Sequence, residues 1–148
     1  MKRRVIQTAD GSSSIYLEEM DEHYHSKHGA IAESQHIFIQ NGLLAKKELK
    51  SIMVFEVGMG TGLNVMTSIQ AADENNLSVE YDTVEAFPVK ETEIKDLNFV
   101  EELQFDPSLF QKIHQGEWCK LLPLQENFRL QKQHQKLQEI ILKTNHYD

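Results

Sequence analysis

Three glycines at every second position, Gly58, Gly60 and Gly62, follow directly on an apolar run from Ile52 to Val57. The run lacks the alternation of a half-solvated strand and reads as a buried parallel one. After the glycines, Val65, Met66, Ile69 and Ala72 recur at helical spacing, so a helix over residues 62–75 covers one face of a sheet. Strand, glycine turn and helix together describe a nucleotide-type pocket at the carboxyl end of the first strand of a doubly wound sheet. The turn brings backbone close to a ligand, and the helix start adds free N–H groups and a positive dipole end.

The spacing separates two cofactor classes. A dinucleotide turn reads G-x-G-x-x-G and receives a pyrophosphate. This chain has G-x-G-x-G with Glu56 two residues before the first glycine. A carboxylate there repels a pyrophosphate and suits the ammonium group of a methionine moiety, which favours S-adenosylmethionine over NAD. The bland alternative is a glycine-rich turn with no ligand. A second strand over residues 77–85 ends on Glu85, 23 residues beyond Gly62 and close to the usual spacing of about 20, where an acid accepts hydrogen bonds from ribose hydroxyls. Alone, Glu85 is an ordinary strand-end residue; with the glycine turn it supports the pocket.

Composition narrows the partners. The 148 residues form one soluble domain by length and by their 40% hydrophobic and 26% charged content. Apolar runs fall well short of a membrane span, so no membrane partner is expected. The lone Cys119 fits a reducing cytoplasm and reads as a semi-buried structural thiol. A net charge of −8 argues against a nucleic-acid partner, since phosphate contacts need a basic face. Positive charge is local, in Lys2-Arg3-Arg4 and in Lys46, Lys47 and Lys50.

Taken in order, residues 4–17 read as a β-hairpin turning at Asp10-Gly11, and a helix over 30–40 ends at Asn41-Gly42. Further helices are expected over 90–97 and 107–115, a third strand over 128–133 and a last helix over 135–142. Trp118, Leu121, Leu122 and Leu124 read as core. Between hairpin and first helix, His23, His25 and His28, with Glu33 or His36, are candidates for a metal, against the plainer reading of a solvated or substrate-facing loop. No H-E-x-x-H spacing supports the metal, so none is assigned. The expected division is 1–50, a hairpin and helix extension, and 51–148, a partial cofactor-binding domain. The alternation of strands and helices reads as the N-terminal part of a longer domain, truncated at the C-terminus. The sheet edge this leaves open predicts a homo-oligomer.

The chain resembles the MnmC/MnmD-like family of S-adenosylmethionine-dependent tRNA methyltransferases, which complete 5-methylaminomethyl uridine at the wobble position. The resemblance is carried by Tyr24-His25-Ser26, Gly29-Ala30, the run Glu33 to Ile39, Gly42-Leu43, the glycine turn, and Val84-Glu85-Ala86-Phe87-Pro88. It implies a Rossmann-like class I methyltransferase fold, cytoplasmic location, and methyl transfer to the aminomethyl nitrogen of a tRNA uridine. It also implies cofactor binding by Glu56, Gly58, Gly60, Gly62, Asn64 and Glu85, and a cleft near Tyr24, His25, Ser26, Glu33 and Ser34. Two departures stand out: the family's Asp-Ala-Phe-x-Pro-type catalytic motif falls beyond Asp148, and Gln133-His134-Gln135 replaces an acid expected near the adenine. The expectation is a chain that keeps much of a cofactor pocket with little turnover of its own. Two other readings stay open, a non-catalytic binding module and a small-molecule N-methyltransferase.

Overall fold

The computed structural model describes residues 2–142 and 144–148. Two sheets organise the described residues. The smaller is antiparallel: β1 (Arg3–Gln7) pairs β2 (Ser13–Leu17), which pairs β3 (Glu22–His23). Asp10-Gly11 makes the β1–β2 turn as the sequence predicts. Asp10 Oδ1 accepts from the Ser12 amide at 3.0 Å and the Thr8 hydroxyl at 2.8 Å. The two residues of β3 lie in the polar segment that sequence reading leaves irregular.

The larger sheet is mixed and mostly parallel, in the order β4 (Ser51–Val57), β5 (Ser78–Glu85), β7 (Phe128–His134), β6 (Leu121–Gln125). β4 and β5 run parallel with Val57 opposite Val84, and β5 and β7 run parallel with Glu85 opposite His134. β6 is antiparallel to β7 across a two-residue turn, Glu126-Asn127. This strand is absent from the sequence expectation. Pro123 marks it as an edge strand, because proline offers the ladder no donor.

α2 (Leu63–Asn75) packs beneath the sheet through Leu63, Val65, Met66, Ile69 and Ala72, the face the helical spacing predicts. Tyr81, Phe128 and Leu130 meet it from the strands in one hydrophobic cluster with Phe99, Leu109 and Ile113. The last three come from α4 (Phe99–Glu102) and α5 (Pro107–Gln115), with the short α3 (Glu91–Lys95) before them. Asp106 caps α5, accepting from the Ser108 amide at 2.7 Å. α1 begins at Ala30–Glu33 and continues in wider π-type turns over Ser34–Gln40, the Asn41 amide donating to His36 O five residues back. Ala30, Ile39 and Leu43 join the same core, so the N-terminal part seals against the larger sheet.

Four expectations need correction. β4 is an edge strand, so Val57 is 58% exposed rather than buried. The helix over 135–142 shortens to one turn, Leu137–Glu139, and Ile140 is already extended. Leu137, Ile141 and Leu142 are exposed, so no apolar face holds a longer helix in place. Of the expected core group only Leu124 is buried; Trp118 and Leu122 are half-buried, and Leu121 is 55% exposed on the edge strand. Cys119 is exposed, in a turn where its φ is +61°.

The core sets the stability. Phe128→Ala, at a fully buried ring, is expected to cost about 3–5 kcal/mol, while Leu121→Ala stays within about 0.5 kcal/mol. Urea unfolding followed by circular dichroism measures both.

Candidate functional site

The glycine turn sits at the carboxyl end of β4. Gly58, Gly60 and Gly62 all have positive φ, at +84°, +52° and +74°. The region disfavours side chains, and at Gly60 a Cβ would also meet the Tyr24 ring at 3.0 Å. Gly62 caps α2 with no side-chain partner. The turn is braced from β5: Glu85 Oε2 accepts from the Gly60 amide at 2.9 Å and Oε1 from the Phe87 amide at 2.8 Å. Glu85 thus holds the turn itself, with one further lone pair left on each oxygen.

Beside the turn lies a cavity of about 370 Å³ whose floor comes from the end of β4 and whose wall comes from the N-terminal segment. Of the residues expected from sequence, Tyr24, His25, Glu33, Ser34, Glu56, Gly58, Gly60 and Asn64 line it together. Ser26, Gly62 and Glu85 do not. Ser26 instead donates its amide to Glu33 Oε2 at 2.6 Å, and a Cβ at Gly62 would meet the His114 ring at 3.3 Å. Glu85 lines a smaller space of about 70 Å³ across Met59 and Gly60, with Pro88, His114, Trp118 and Lys132.

A chain of hydrogen bonds joins wall to floor. The Ser34 hydroxyl donates to Asn64 Oδ1 at 2.7 Å, and Asn64 Nδ2 donates to Glu56 Oε1 at 2.9 Å. Thr67 Oγ1 lies 2.8 Å from Ser34 Oγ. The wall is tied to the turn a second time by His25, whose Nε2 lies 2.9 Å from Thr61 Oγ1 while Nδ1 lies 4.0 Å from Glu33 Oε2. Burial holds His25 below its ordinary pKa, against the opposing pull of Glu33.

Glu56 is the unusual group. It is 6% exposed, and its Oε2 makes no hydrogen bond among the described residues; nor do the buried hydroxyls of Tyr81 and Thr83. Burial pushes its carboxyl up to about 7, opposed by Asn64 and by the Tyr81 and Thr83 dipoles and reinforced by the Glu85 charge. The cavity lining holds two carboxylates, Glu33 and Glu56, and neither lysine nor arginine. Such a site attracts a cation.

Sequence reading overlooks several residues here. Thr61 and Thr67 carry the bonds from His25 and Ser34, and Ile37, Phe38 and Phe55 supply the apolar lining. Lys132, fully buried, donates to Ile113 O at 2.7 Å and lies 4.8 Å from the Trp118 ring centre. Burial pushes its ammonium down to about 8. The period of two in β7 places it on the face of Phe128 and Leu130, so a lysine on a buried face was the available signal. Among the described residues no group of three or more His, Cys, Asp or Glu side chains is placed to hold a metal.

No protein-family model matches the chain. Over 84 residues, 56% of its length, it is 27% identical to the tRNA 5-methylaminomethyl-2-thiouridine biosynthesis bifunctional protein MnmC of Campylobacter fetus subsp. fetus (strain 82-40), covering 13% of that protein. Its fold is similar to the crystal structure of MNMC2 from Aquifex aeolicus, with a TM-score of 0.66 and 26% identity. That match covers 94% of this chain and 45% of the other. The chain therefore spans less than half the length of either relative.

The buried carboxyl makes stability depend on pH. Its folded pKa, about 7, lies above the ordinary 4.5, so the folded state holds the extra proton between these values. That contribution is complete below pH 4.5 and is lost as pH rises through 7. Glu56→Gln keeps the neutral shape. Relative to the unsubstituted chain it is expected to gain on the order of 3 kcal/mol between pH 4 and pH 8, read from urea midpoints at each pH.

Proposed function

We propose that the chain belongs to the MnmC/MnmD-like family and that its cavity beside the glycine turn holds S-adenosylmethionine for methyl transfer to the aminomethyl nitrogen of a tRNA wobble uridine. The observation that carries this reading is the charge of the cavity. Two carboxyl groups and neither lysine nor arginine line a turn of backbone open to close approach, a setting that suits a sulfonium and an ammonium and opposes a pyrophosphate. The printed name of the Campylobacter relative, a tRNA 5-methylaminomethyl-2-thiouridine biosynthesis protein, supports the substrate. The fold reading is a class I methyltransferase sheet.

When bound, S-adenosylmethionine supplies an electrophilic methyl group for in-line displacement by an amine held about 3 Å away. The chain's own residues prepare that approach. Glu56, in the cavity floor, would receive the ammonium of the methionine moiety. Gly58 leaves open space where a Cβ would stand, so the backbone there would be open to close approach by the cofactor. Glu85, fixed by two amides, holds the turn in shape and offers its remaining lone pairs to ribose hydroxyls. Tyr24, His25, Glu33 and Ser34 form the wall that the amine must pass.

The charge balance favours a second reading, a small-molecule N-methyltransferase. The net charge is −8, and Arg3, one of the few local cations, is spent on Phe87 O at 2.6 Å and Pro88 O at 3.0 Å. Lys46, Lys47 and Lys50 remain exposed.

Calorimetric titration tests the cofactor, and labelled-methyl incorporation tests the substrate. S-adenosylmethionine is expected to bind and NAD not to. Glu85→Ala, which frees the Gly60 amide, is expected to weaken binding tenfold or more, about 1.4 kcal/mol. NAD binding in preference would overturn the cofactor reading. Methyl transfer to tRNA carrying aminomethyl uridine supports the tRNA substrate, and transfer only to the free nucleoside supports the second reading.

A further inference from the structure

Of the two carboxyl groups that line the cavity, Glu33 is the open one. Glu56 is buried, with one oxygen on Asn64 and the other enclosed. The Glu33 side chain is 36% exposed. Its Oε2 accepts from the Ser26 amide at 2.6 Å, while Oε1 makes no hydrogen bond among the described residues. The amide fixes the carboxylate in place and leaves half of it free. No lysine or arginine lines the cavity to neutralise it. His25 Nδ1 lies 4.0 Å from Oε2, beyond hydrogen-bond reach, and burial disfavours a charge on that ring.

About one turn on from Glu33 along the same helical segment stand Ile37, exposed, and Phe38, half-buried, and Phe55 of β4 lines the same space. A fixed negative tip therefore sits beside an apolar shelf that suits a flat ring. We propose that Glu33 is the specificity-determining residue for the methyl acceptor, holding a protonated aminomethyl group while the base that carries it lies on Ile37, Phe38 and Phe55. The inference rests on the methyltransferase reading above and adds the group that selects an amine over a hydroxyl. An alkyl amine is protonated at neutral pH, as lysine is. A carboxylate with a free oxygen binds it by charge-assisted hydrogen bonds, about twice as strong as neutral ones. A hydroxymethyl group offers no such charge. Before transfer the ammonium gives one proton to solvent, keeping its other N–H bonds to Glu33 and freeing a lone pair. The carbon–sulfur bond of the sulfonium then breaks as the nitrogen–carbon bond forms, and the positive charge passes from sulfur to nitrogen.

The test is calorimetric titration of the full chain, saturated with S-adenosylhomocysteine, with 5-aminomethyluridine and 5-hydroxymethyluridine at pH 7. The amine is expected to bind about tenfold more tightly than the alcohol. Glu33→Gln keeps an oxygen for the Ser26 amide and removes the charge. It is expected to abolish the preference while leaving S-adenosylhomocysteine affinity within about twofold and the urea midpoint unchanged. Glu33→Asp, which keeps the charge, is expected to retain part of the preference. Equal binding of the two nucleosides by the unsubstituted chain, or no binding of either, would overturn the proposal, as would a preference that survives Glu33→Gln. Loss of S-adenosylhomocysteine binding in a folded Glu33→Gln chain would assign the residue to the cofactor and overturn it too. If the unsubstituted chain does not bind S-adenosylhomocysteine, the cofactor reading fails separately. The same two nucleosides titrated into the unliganded chain then decide the role of Glu33.

Discussion

Everything at the site depends on a carboxyl kept out of water. Glu56 lies on β4 at the last residue but one, where alternation along the strand turns it inward. Its neighbours across the sheet and from α2 are chosen to tolerate it: an amide donor on one oxygen, and hydroxyls rather than charges around the other. The same amide reaches out to Ser34. A single asparagine therefore couples a buried acid to the N-terminal helix, and the wall of the cavity stays in register with its floor.

The glycine turn is held in a similar economy. Glu85 approaches from the neighbouring strand and binds the backbone of Gly60 and of Phe87. Because β4 and β5 are parallel and in register to their ends, the acid at the end of one strand meets the turn at the end of the other. Parallel pairing thus supplies a site geometry that hairpins would not, since it brings two strand ends, each followed by a loop, to the same edge of the sheet.

Much of this was legible beforehand where pattern and chemistry agreed. β4, α2, β5, α5 and β7 follow from apolar runs, helical spacing and proline at a helix start. Eight of the eleven candidate site residues line one cavity, because the glycine turn and the Tyr24–Ser34 segment carry unusual polar residues among apolar ones. Other features depend on contacts that a single sequence does not encode locally. Leu121-Leu122 looks like core until Pro123 and the Glu126-Asn127 turn make it an edge strand. The last apolar cluster looks like a helix, yet it finds no face to bury. The role of Lys132 is not legible in sequence because its partners are the carbonyls ending α5, a junction visible only once the elements are packed.

The strand order has a consequence for how the molecule assembles. The two hairpins, β1–β2 and β6–β7, join near neighbours in sequence and close on the microsecond scale. The parallel pairs do not: Ser51 must find Ser78, and Val79 must find Phe128. Contacts of long sequence separation carry a larger entropy cost before they are rewarded, which slows folding. Glu85 meets the glycine turn only through the β4–β5 pairing, and Ser34 reaches Asn64 from an element 30 residues away. The glycine turn takes its braced shape only when those pairings are made, so turn and cavity are completed by the same long-range contacts.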